Sequence, residues 1–538
     1  MPSGLASKIE PADSLQRIAE AHCVQLMLTL TQTLTDYPTP LLRAIAASRG
    51  LDAVAQSALP TSLAAELAAA LADPGSIVDA VERLPEAGQA LLTSLVQAGG
   101  VMTAPAFVRL AGEVRQGGPA WLAREQPWLT PANAAEMLWY QGLIGRTFAT
   151  VGGETGDFIF IPTDILPWLP APQAVGRAVL QLPAAPAPAT VHLSGCRLAL
   201  DAATLLAFVQ NNEVMQDAAG RWRVSDLAAL NQQMLAPLPA AGLAEAEAAE
   251  GGDRLSFLFT LAQQLGWRRA QGGRLRLLAG PVRGWLQRPA PDQAYALWQA
   301  WLVSTQWDDL RRTPLLCEGS GWRNDPAATR RRLLSRLAGL RPGIWHGSEA
   351  LITAMHRLDP DFQRSDGIYT TWYIRRSHES SYLLGFEHWD EVEGALLRFL
   401  ITGPLHWLGA LDIGASGEDE ATGEHGPLDT LRVTSQGAAW LADQPQRVSA
   451  PRAAPIRVEA DFSVHVPHSA AAFDRFRVAR CTQWEGSQPD FRYRITQTAL
   501  RRAAAGGVTA GRVLAFLRAV TQGRVPPNVA RALENLKS

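Results

Sequence analysis

"FRYRITQTALRRAAAGGVTAGRVLAFLRAVTQGRVPPNVARALENLKS" occupies residues 491–538. Phe491, Tyr493 and Ile495 alternate with Arg492 and Arg494, the period of a strand with one face on a core and the other in solvent. The period then changes. Thr496 or Thr498 is placed to cap a helix through "TALRRAAAGG", Thr509 to cap "AGRVLAFLRAV", and Pro526-Pro527 to open a last short helix. Upstream, "PIRVEADFSVHVP" (455–467) reads as one alternating strand and "SAAAFDRFRVAR" (469–480) as a helix. The expected order is β-α-β-α-α-α, a C-terminal module over 453–538 set off by the linker "DQPQRVSAPRAAP" (443–455). Such a linker predicts an autonomous module.

The same stretch is basic. It holds eight arginines, one lysine and a single acid, Glu534, a charge of +8 in a chain whose total is -2, so residues 1–490 carry -10. Arg492, Arg494, Arg501, Arg502, Arg512 and Arg518 are the candidate contacts for an anionic surface, either a phosphate backbone or an acidic protein face. The competing reading is that Glu459, Asp461, Asp474 and Glu485 of the module neutralise them. A second cluster lies in "NDPAATRRRLLSRLAGLRPG" (324–343), a helix with Asp325 as N-cap and Pro326 in its first turn. There Arg331, Arg332 and Arg336 offer a phosphate-contacting ridge, or else a solvated face paired with local acids such as Asp308 and Asp309.

In residue order and motif, the module resembles the N-terminal domain of XPB-type DNA repair and transcription helicases. The likeness rests on "PIRVEADFSVHVP", "FRYRITQTALRRAAAGGVTAGRVLAFLRAV" and "VPPNVARAL". Val458-Glu459 stands where that family has Val-Gln. The region "GPLHWLGALDIG…LRVTSQGAAWL" is similar to bacterial helicase-associated proteins that carry this domain behind several winged helices. The resemblance implies a partner that is an XPB-like helicase or another DNA-processing protein, with DNA as a second partner. In the helicases two ATPase lobes follow this domain, and here the chain stops at Ser538, so helicase activity is not carried over. The layout also resembles the winged-helix subunit of TFIIH that docks on XPB.

Composition narrows the chemistry. The only lysines are Lys8 and Lys537; the other 47 basic residues are arginine. A phosphate-binding loop needs a lysine after its glycines, and none stands between residues 9 and 536. Schiff-base lysines are missing from the same span. "GEDEA" (417–421) reads as a solvated loop. The four cysteines have no CxxC spacing, and "HVPH" (465–468) lacks further ligands at a metal-site spacing. No apolar run reaches the length of a membrane span, and no signal peptide is expected. The reading is therefore not an enzyme: no cofactor, no metal, no small-molecule substrate, no membrane, and a reducing cytoplasm as the compartment.

With 538 residues the chain predicts several domains of mixed α+β class, mostly helical with small sheets. A helical N-terminal region covers 1–80. Then one pattern recurs three times: an apolar helix, a glycine-bearing turn, two short strands and a helix ending in Trp-Leu. The copies run from "LWYQGLIGR" (138–146) to "DFIFIPTDILPWL" (157–169), from "LAQQLGWRR" (261–269) to "GRLRLLAGPVRGWL" (273–286), and from "LHWLGALDI" (405–413) to "DTLRVTSQGAAWL" (429–441). Helices followed by such a hairpin read as winged helices, giving domains at 81–170 and 190–288 and a Trp/Arg-rich region at 289–443 that ends in a third. The helices before the hairpins carry almost no basic residues, so they favour packing on protein over reading a DNA groove. An alternative is a DNA-binding transcription regulator that uses the arginine clusters. Nine of the 17 tryptophans lie between Trp285 and Trp407, either as core or as stacking platforms for bases.

Overall fold

Short apolar helices open the first part of the chain. The computed structural model describes residues 28–57, 59, 61–151, 154–169, 180–195, 197–217, 220–239, 253–319, 324–417, 428–448 and 453–536. Helix α1 (Leu30–Thr35) starts at a capping box, in which Thr29 accepts from the Gln32 amide and the Gln32 side chain reaches back. In α2 (Thr39–Ser48) the "TPLL" pattern suggests Thr39 as the cap. Pro38 takes that place instead, without a side-chain bond, and Thr39 is already helical. Gly50 follows at φ 68°, a left-handed stop that glycine adopts without a Cβ penalty. Helices α3 (Asp52–Ser57), α4 (Leu63–Leu71) and α5 (Pro74–Glu82) follow, and Ile45, Leu67, Leu71 and Ile77 are buried in one core.

The next elements are α6 (Glu86–Gln97), β1 (Val101–Thr103), α7 (Ala104–Ala111), α8 (Pro119–Glu125), α9 (Ala134–Tyr140), β2 (Gly145–Val151) and β3 (Glu154–Phe160). The sheet order is β1-β3-β2, antiparallel throughout, with Val101 opposite Phe160 and Gly145 also opposite Phe160. The predicted helix at the end of this copy is a single 3-10 turn, Leu166–Trp168, with Pro167 inside it.

By its contacts the chain falls into two compact units. One comprises the described parts of Met1–Ala178 with Arg364–Tyr369, the other those of Val179–Gln363 with Thr370–Ser538. The second begins with β4 (Thr190–His192) and α10 (Arg197–Asn211). After α10, Met215 bridges Arg274 as a one-residue strand; then come α11 (Val224–Gln233), α12 (Arg254–Gln264), β5 (Arg268–Gln271) and β6 (Arg274–Leu277). Two further helices, α13 (Ala279–Leu286) and α14 (Ala290–Val303), lead to β7 (Leu315–Glu318), α15 (Pro326–Leu337), β8 (Trp345–Gly347), α16 (Ser348–Leu358) and β9 (Tyr373–Arg376). Then α17 (Ala395–Thr402), α18 (Pro404–Trp407), β10 (Leu411–Ala415), β11 (Thr430–Val433) and α19 (Ser435–Leu441) complete the region. Its four-stranded sheet runs β4-β10-β11-β8, so β4 joins strands more than two hundred residues away. Strands β7 and β9 form a separate antiparallel pair.

Three times, then, a helix, a short strand and further helices precede a hairpin, and the early strand pairs with the second strand of that hairpin. The strands are β1 on β3, Met215 on β6, and β8 on β11. The sequence pattern shows only the hairpin half of each copy. The class is α+β, with small antiparallel sheets among helices.

The C-terminal module differs from its expected order. "PIRVEADFSVHVP" is a hairpin and not one strand: β12 (Arg457–Val458) and β13 (Ser463–Val466) fold back at Phe462, φ 70°, where the Glu459 amide donates to the Ser463 carbonyl at 2.9 Å. After α20 (Ala472–Cys481) comes β14 (Gln483–Gly486), a strand absent from the expected order. Then follow β15 (Phe491–Arg494), α21 (Gln497–Ala505), α22 (Ala510–Val520) and α23 (Pro527–Asn535). The order is β-β-α-β-β-α-α-α, with the sheet β12-β13-β15-β14. Thr496 and Thr509 cap α21 and α22 through their side chains. Of the tryptophans between Trp285 and Trp407, Trp285, Trp298, Trp301, Trp307, Trp345, Trp372 and Trp389 are buried core, which removes them as stacking platforms. Trp322 lies outside the described residues. Among the described residues no single helix is long and apolar enough to cross a membrane.

Candidate functional site

The arginines of the C-terminal module divide by what they touch. On β15, Phe491 and Tyr493 are buried and Arg492 is exposed, as the alternation requires. Arg494 is held by the Glu485 carboxylate and by the Asp461 carbonyl at 2.8 Å, with the Asp461 carboxylate at 3.7 Å. Both carboxylates keep the Arg494 guanidinium above its ordinary range, Glu485 most strongly. Arg518 pairs with Glu534 at 2.9 Å. Arg502 lies over the end of α20 and donates to the Thr482 carbonyl at 2.8 Å and the Ala479 carbonyl at 3.3 Å, satisfying groups a helix end leaves open. Arg512 reaches the Gly507 carbonyl at 3.3 Å. Among the described residues Arg492, Arg501 and Arg512 make no ion pair. Of the six, Arg494 and Arg518 are taken up by the module's own carboxylates and Arg502 and Arg512 donate to carbonyls, which leaves Arg492 and Arg501 with neither among the described residues.

The second cluster divides in the same way. Asp325 caps α15 as expected, accepting from the Ala328 amide. Arg332 and Arg336 share the buried carboxylate of Asp359, at 3.1 and 2.9 Å, rather than Asp308 or Asp309. Arg331 is exposed and donates to the Ala327 carbonyl. Among the described residues the ridge has one guanidinium without an ion pair, Arg331, and two in a local ion-pair cluster. Arg330, which the sequence does not set apart from its neighbours, is fully buried and paired with Asp309 at 2.6 Å.

A third basic surface was missed. From Arg254 to Pro291 the chain has seven arginines and no acid. Arg269 on β5 and Arg276 on β6 are cross-strand partners, both exposed. Like charges directly opposite in an antiparallel pair cost a few tenths to about 1 kcal/mol. Neither makes an ion pair among the described residues. Arg274, on the same face, has Glu213 at 2.8 Å. Arg268 points the other way, toward the Phe259 carbonyl, and burial lowers its affinity for its proton. Arg283 on α13 and Arg288 beyond it are exposed, and α13 packs against α20 of the C-terminal module. The sequence signal for this surface is the charge summed over the whole hairpin, not over the helix before it.

The helices that precede the hairpins offer little surface to a groove. The residues of α9 and α17 are buried or half-buried, and the outermost side chain of α17, Arg398, is tied to Glu349 and Asp390; in α12 Gln263 is exposed. The one glutamate of α9, Glu136, faces inward. It takes the Arg115 guanidinium at 2.6 and 2.7 Å and the Ala132 amide at 2.8 Å. Burial pushes its carboxyl up, and the Arg115 and amide bonds pull it below the ordinary range. Arg254 of α12 is paired with the buried Asp201 of α10 at 2.7 Å.

In the first unit a cleft of about 540 Å³ lies between α7 and the β2–β3 hairpin. Phe107, Val108, Trp139 and Phe158 line it, with Arg146 and Asp157 at its polar side. Phe148 at its edge is 73% exposed, and Leu110 of α7 is 57% exposed, so this unit presents apolar side chains that the second unit's arginine surfaces lack.

For other chemistry little is assembled. His468 donates to the Ser487 carbonyl and packs edge-on to Phe491. Burial pushes the Cys481 thiol up to about 12, which keeps it protonated and unreactive near neutral pH. Among the described residues no three His, Cys, Asp or Glu side chains group as metal ligands. "GEDEA" falls almost wholly outside the described residues. In comparison with known proteins, no family model and no curated protein matches the chain.

Proposed function

We propose that this chain is a non-enzymatic, helicase-associated interaction protein. In this reading three tandem winged helices and an XPB N-terminal-like module bind an XPB-like helicase or another DNA-processing partner, DNA, or both. The recurring order, in which an early strand returns to pair with the second strand of a later hairpin, supports the winged-helix reading of each copy. The observation that carries the function is how little polar surface α9, α12 and α17 expose, the helices that would have to enter a groove. A regulator that reads sequence needs such a helix exposed and polar; a scaffold does not. The apolar side chains around the first unit's cleft supply anchors for a protein partner. The alternative, a DNA-binding regulator, is favoured by the arginine-lined hairpin of β5 and β6 and by the exposed Arg331, Arg492 and Arg501.

The test is biochemical. The purified full chain should neither bind nor hydrolyse ATP with magnesium. Mixed with the XPB-type helicase of its own host, it should form a stoichiometric complex and raise the helicase's ATPase rate. Turnover by the chain itself, or a helicase that ignores it in both assays, would overturn the reading.

A further inference from the structure

We infer that the β5–β6 hairpin is a contact for the phosphate backbone of double-stranded nucleic acid, made chiefly by Arg269 and Arg276. This deepens the proposed function and rests on its reading of the chain as a binding protein. Arg269 and Arg276 face each other across the hairpin. The Leu278 amide donates to the Trp267 carbonyl at 2.8 Å, which sets the phase of the ladder and makes 269/276 a hydrogen-bonded pair. Their Cα atoms are then about 5.5 Å apart, and both guanidiniums leave the same face. Arg274 lies two residues further along that face.

Four observations point to phosphate. Arg269 and Arg276 repel each other and make no ion pair among the described residues; Arg254–Pro291 contains no acid, and Glu213 pairs with Arg274. The turn is tight: Gly272 and Gly273, at φ 59° and 74°, have the left-handed sense of a two-residue primed hairpin turn. A Cβ added at Gly272 would meet nothing within 4 Å, so that corner of the turn is open, while the β6 side is held by 214–216, with the Gln216 amide donating to the Gly273 carbonyl at 2.7 Å. Finally, no large apolar side chain between Arg254 and Pro291 is among those exposed. A protein interface draws its energy from buried apolar and aromatic anchors, and this surface has none. A nucleic-acid interface is polar, positive and rich in arginine–phosphate contacts. An acidic protein is therefore the lesser fit.

The experiment uses the full chain and a mixed-sequence duplex of about 25 base pairs, read by fluorescence anisotropy between about 50 and 200 mM salt. The wild type should bind with an affinity that falls steeply with salt. Arg269→Ala/Arg276→Ala should weaken binding about tenfold at the lowest salt and make the log–log slope shallower by about 2, one per lost phosphate contact. Arg269→Lys/Arg276→Lys keeps the charge and should keep most of the slope. Neither variant should melt below the wild type, because the changed side chains are exposed and the double-alanine variant also loses the repulsion between them. Poly-glutamate should compete far less well than the duplex at equal charge. No duplex binding at the lowest salt, an unchanged double-alanine variant, or equal competition by poly-glutamate would each overturn the inference. The helicase complex is scored in parallel: its survival in the double-alanine variant separates failure of the hairpin from failure of the proposed function.

Discussion

Asp309→Ala should destabilise the second unit by about 3–5 kcal/mol, the cost of stranding one member of a buried ion pair. Arg330 has no exposed surface. Its guanidinium donates to Asp309 at 2.6 Å, to the Trp301 carbonyl at 2.5 Å, to the Ser304 carbonyl at 2.6 Å and to the Trp307 carbonyl. Asp309 also accepts the indole N–H groups of Trp307 at 3.0 Å and Trp301 at 3.3 Å. This one carboxylate thus ties α14, the segment after it and α15 together. With alanine there, the guanidinium stays buried without a counter-charge and two indoles lose their acceptor. The double variant Asp309→Leu/Arg330→Met should be more stable than Asp309→Ala, because it removes the buried charge along with its partner. Denaturant unfolding followed by tryptophan fluorescence measures both. A loss below about 1 kcal/mol for Asp309→Ala would mean that the pair is not buried as described.

The second large effect concerns the docking of the C-terminal module. Arg475→Ala should cost about 3 kcal/mol, from the lost packing volume and from polar groups left unpaired. Arg475 of α20 is buried and donates to the Leu200 carbonyl at 2.6 Å and the Thr204 hydroxyl at 3.0 Å, both on α10. Its guanidinium carbon sits 3.8 Å from the centre of the Phe491 ring. Burial lowers its affinity for its proton, with Tyr493 and Asp201 acting against that shift. Asn211 donates to the Ala479 carbonyl and Ser487 to the Gln233 carbonyl, so the contact has several strands of support. Arg475→Met, which keeps most of the volume, should lose less than Arg475→Ala. Calorimetry of the full chain gives the ordering; equal melting of wild type and Arg475→Ala would show that α20 does not depend on this contact. The same geometry explains why an isolated 453–536 fragment should melt below the full chain: the fragment exposes the surface that α10 covers.

What the sequence shows follows from how local each signal is. The hairpins at 145–160, 268–277 and 411–433 are legible because apolar alternation and nearby glycines lie within a few residues. Their early partners are not. β1 and β8 have three residues each and the third is the single bridge at Met215, too short for any period to register. The pairing of β4 with β10 spans more than two hundred residues, and nothing in "TVH" announces it. The split of "PIRVEADFSVHVP" depends on a positive φ at Phe462, a residue with no turn preference.

The candidate site shows the same limit. Arg330, Arg331, Arg332 and Arg336 look alike as letters, yet Arg330 shares the buried face of Leu333, Leu334 and Leu337. Arg332 and Arg336 find Asp359, which stands beyond the next helix. Arg494 could be read as outward from its period, but its neutralisation by Glu485 needed the pairing of β14 with β15. The acid-free run around Arg269 and Arg276 was visible in the letters; its meaning came from the register that sets those two side chains opposite each other.

Amide hydrogen exchange of the full chain, free and saturated with duplex DNA at low salt, tests the central claim most directly. That claim is that this protein works by binding, through an arginine-lined hairpin, with its groove-sized helices offering little surface to a groove. The account predicts slower exchange in peptides covering Arg268–Leu277 on DNA binding, with α9, α12 and α17 unchanged. Unchanged exchange at the hairpin, or protection centred on any of those three helices, would contradict it.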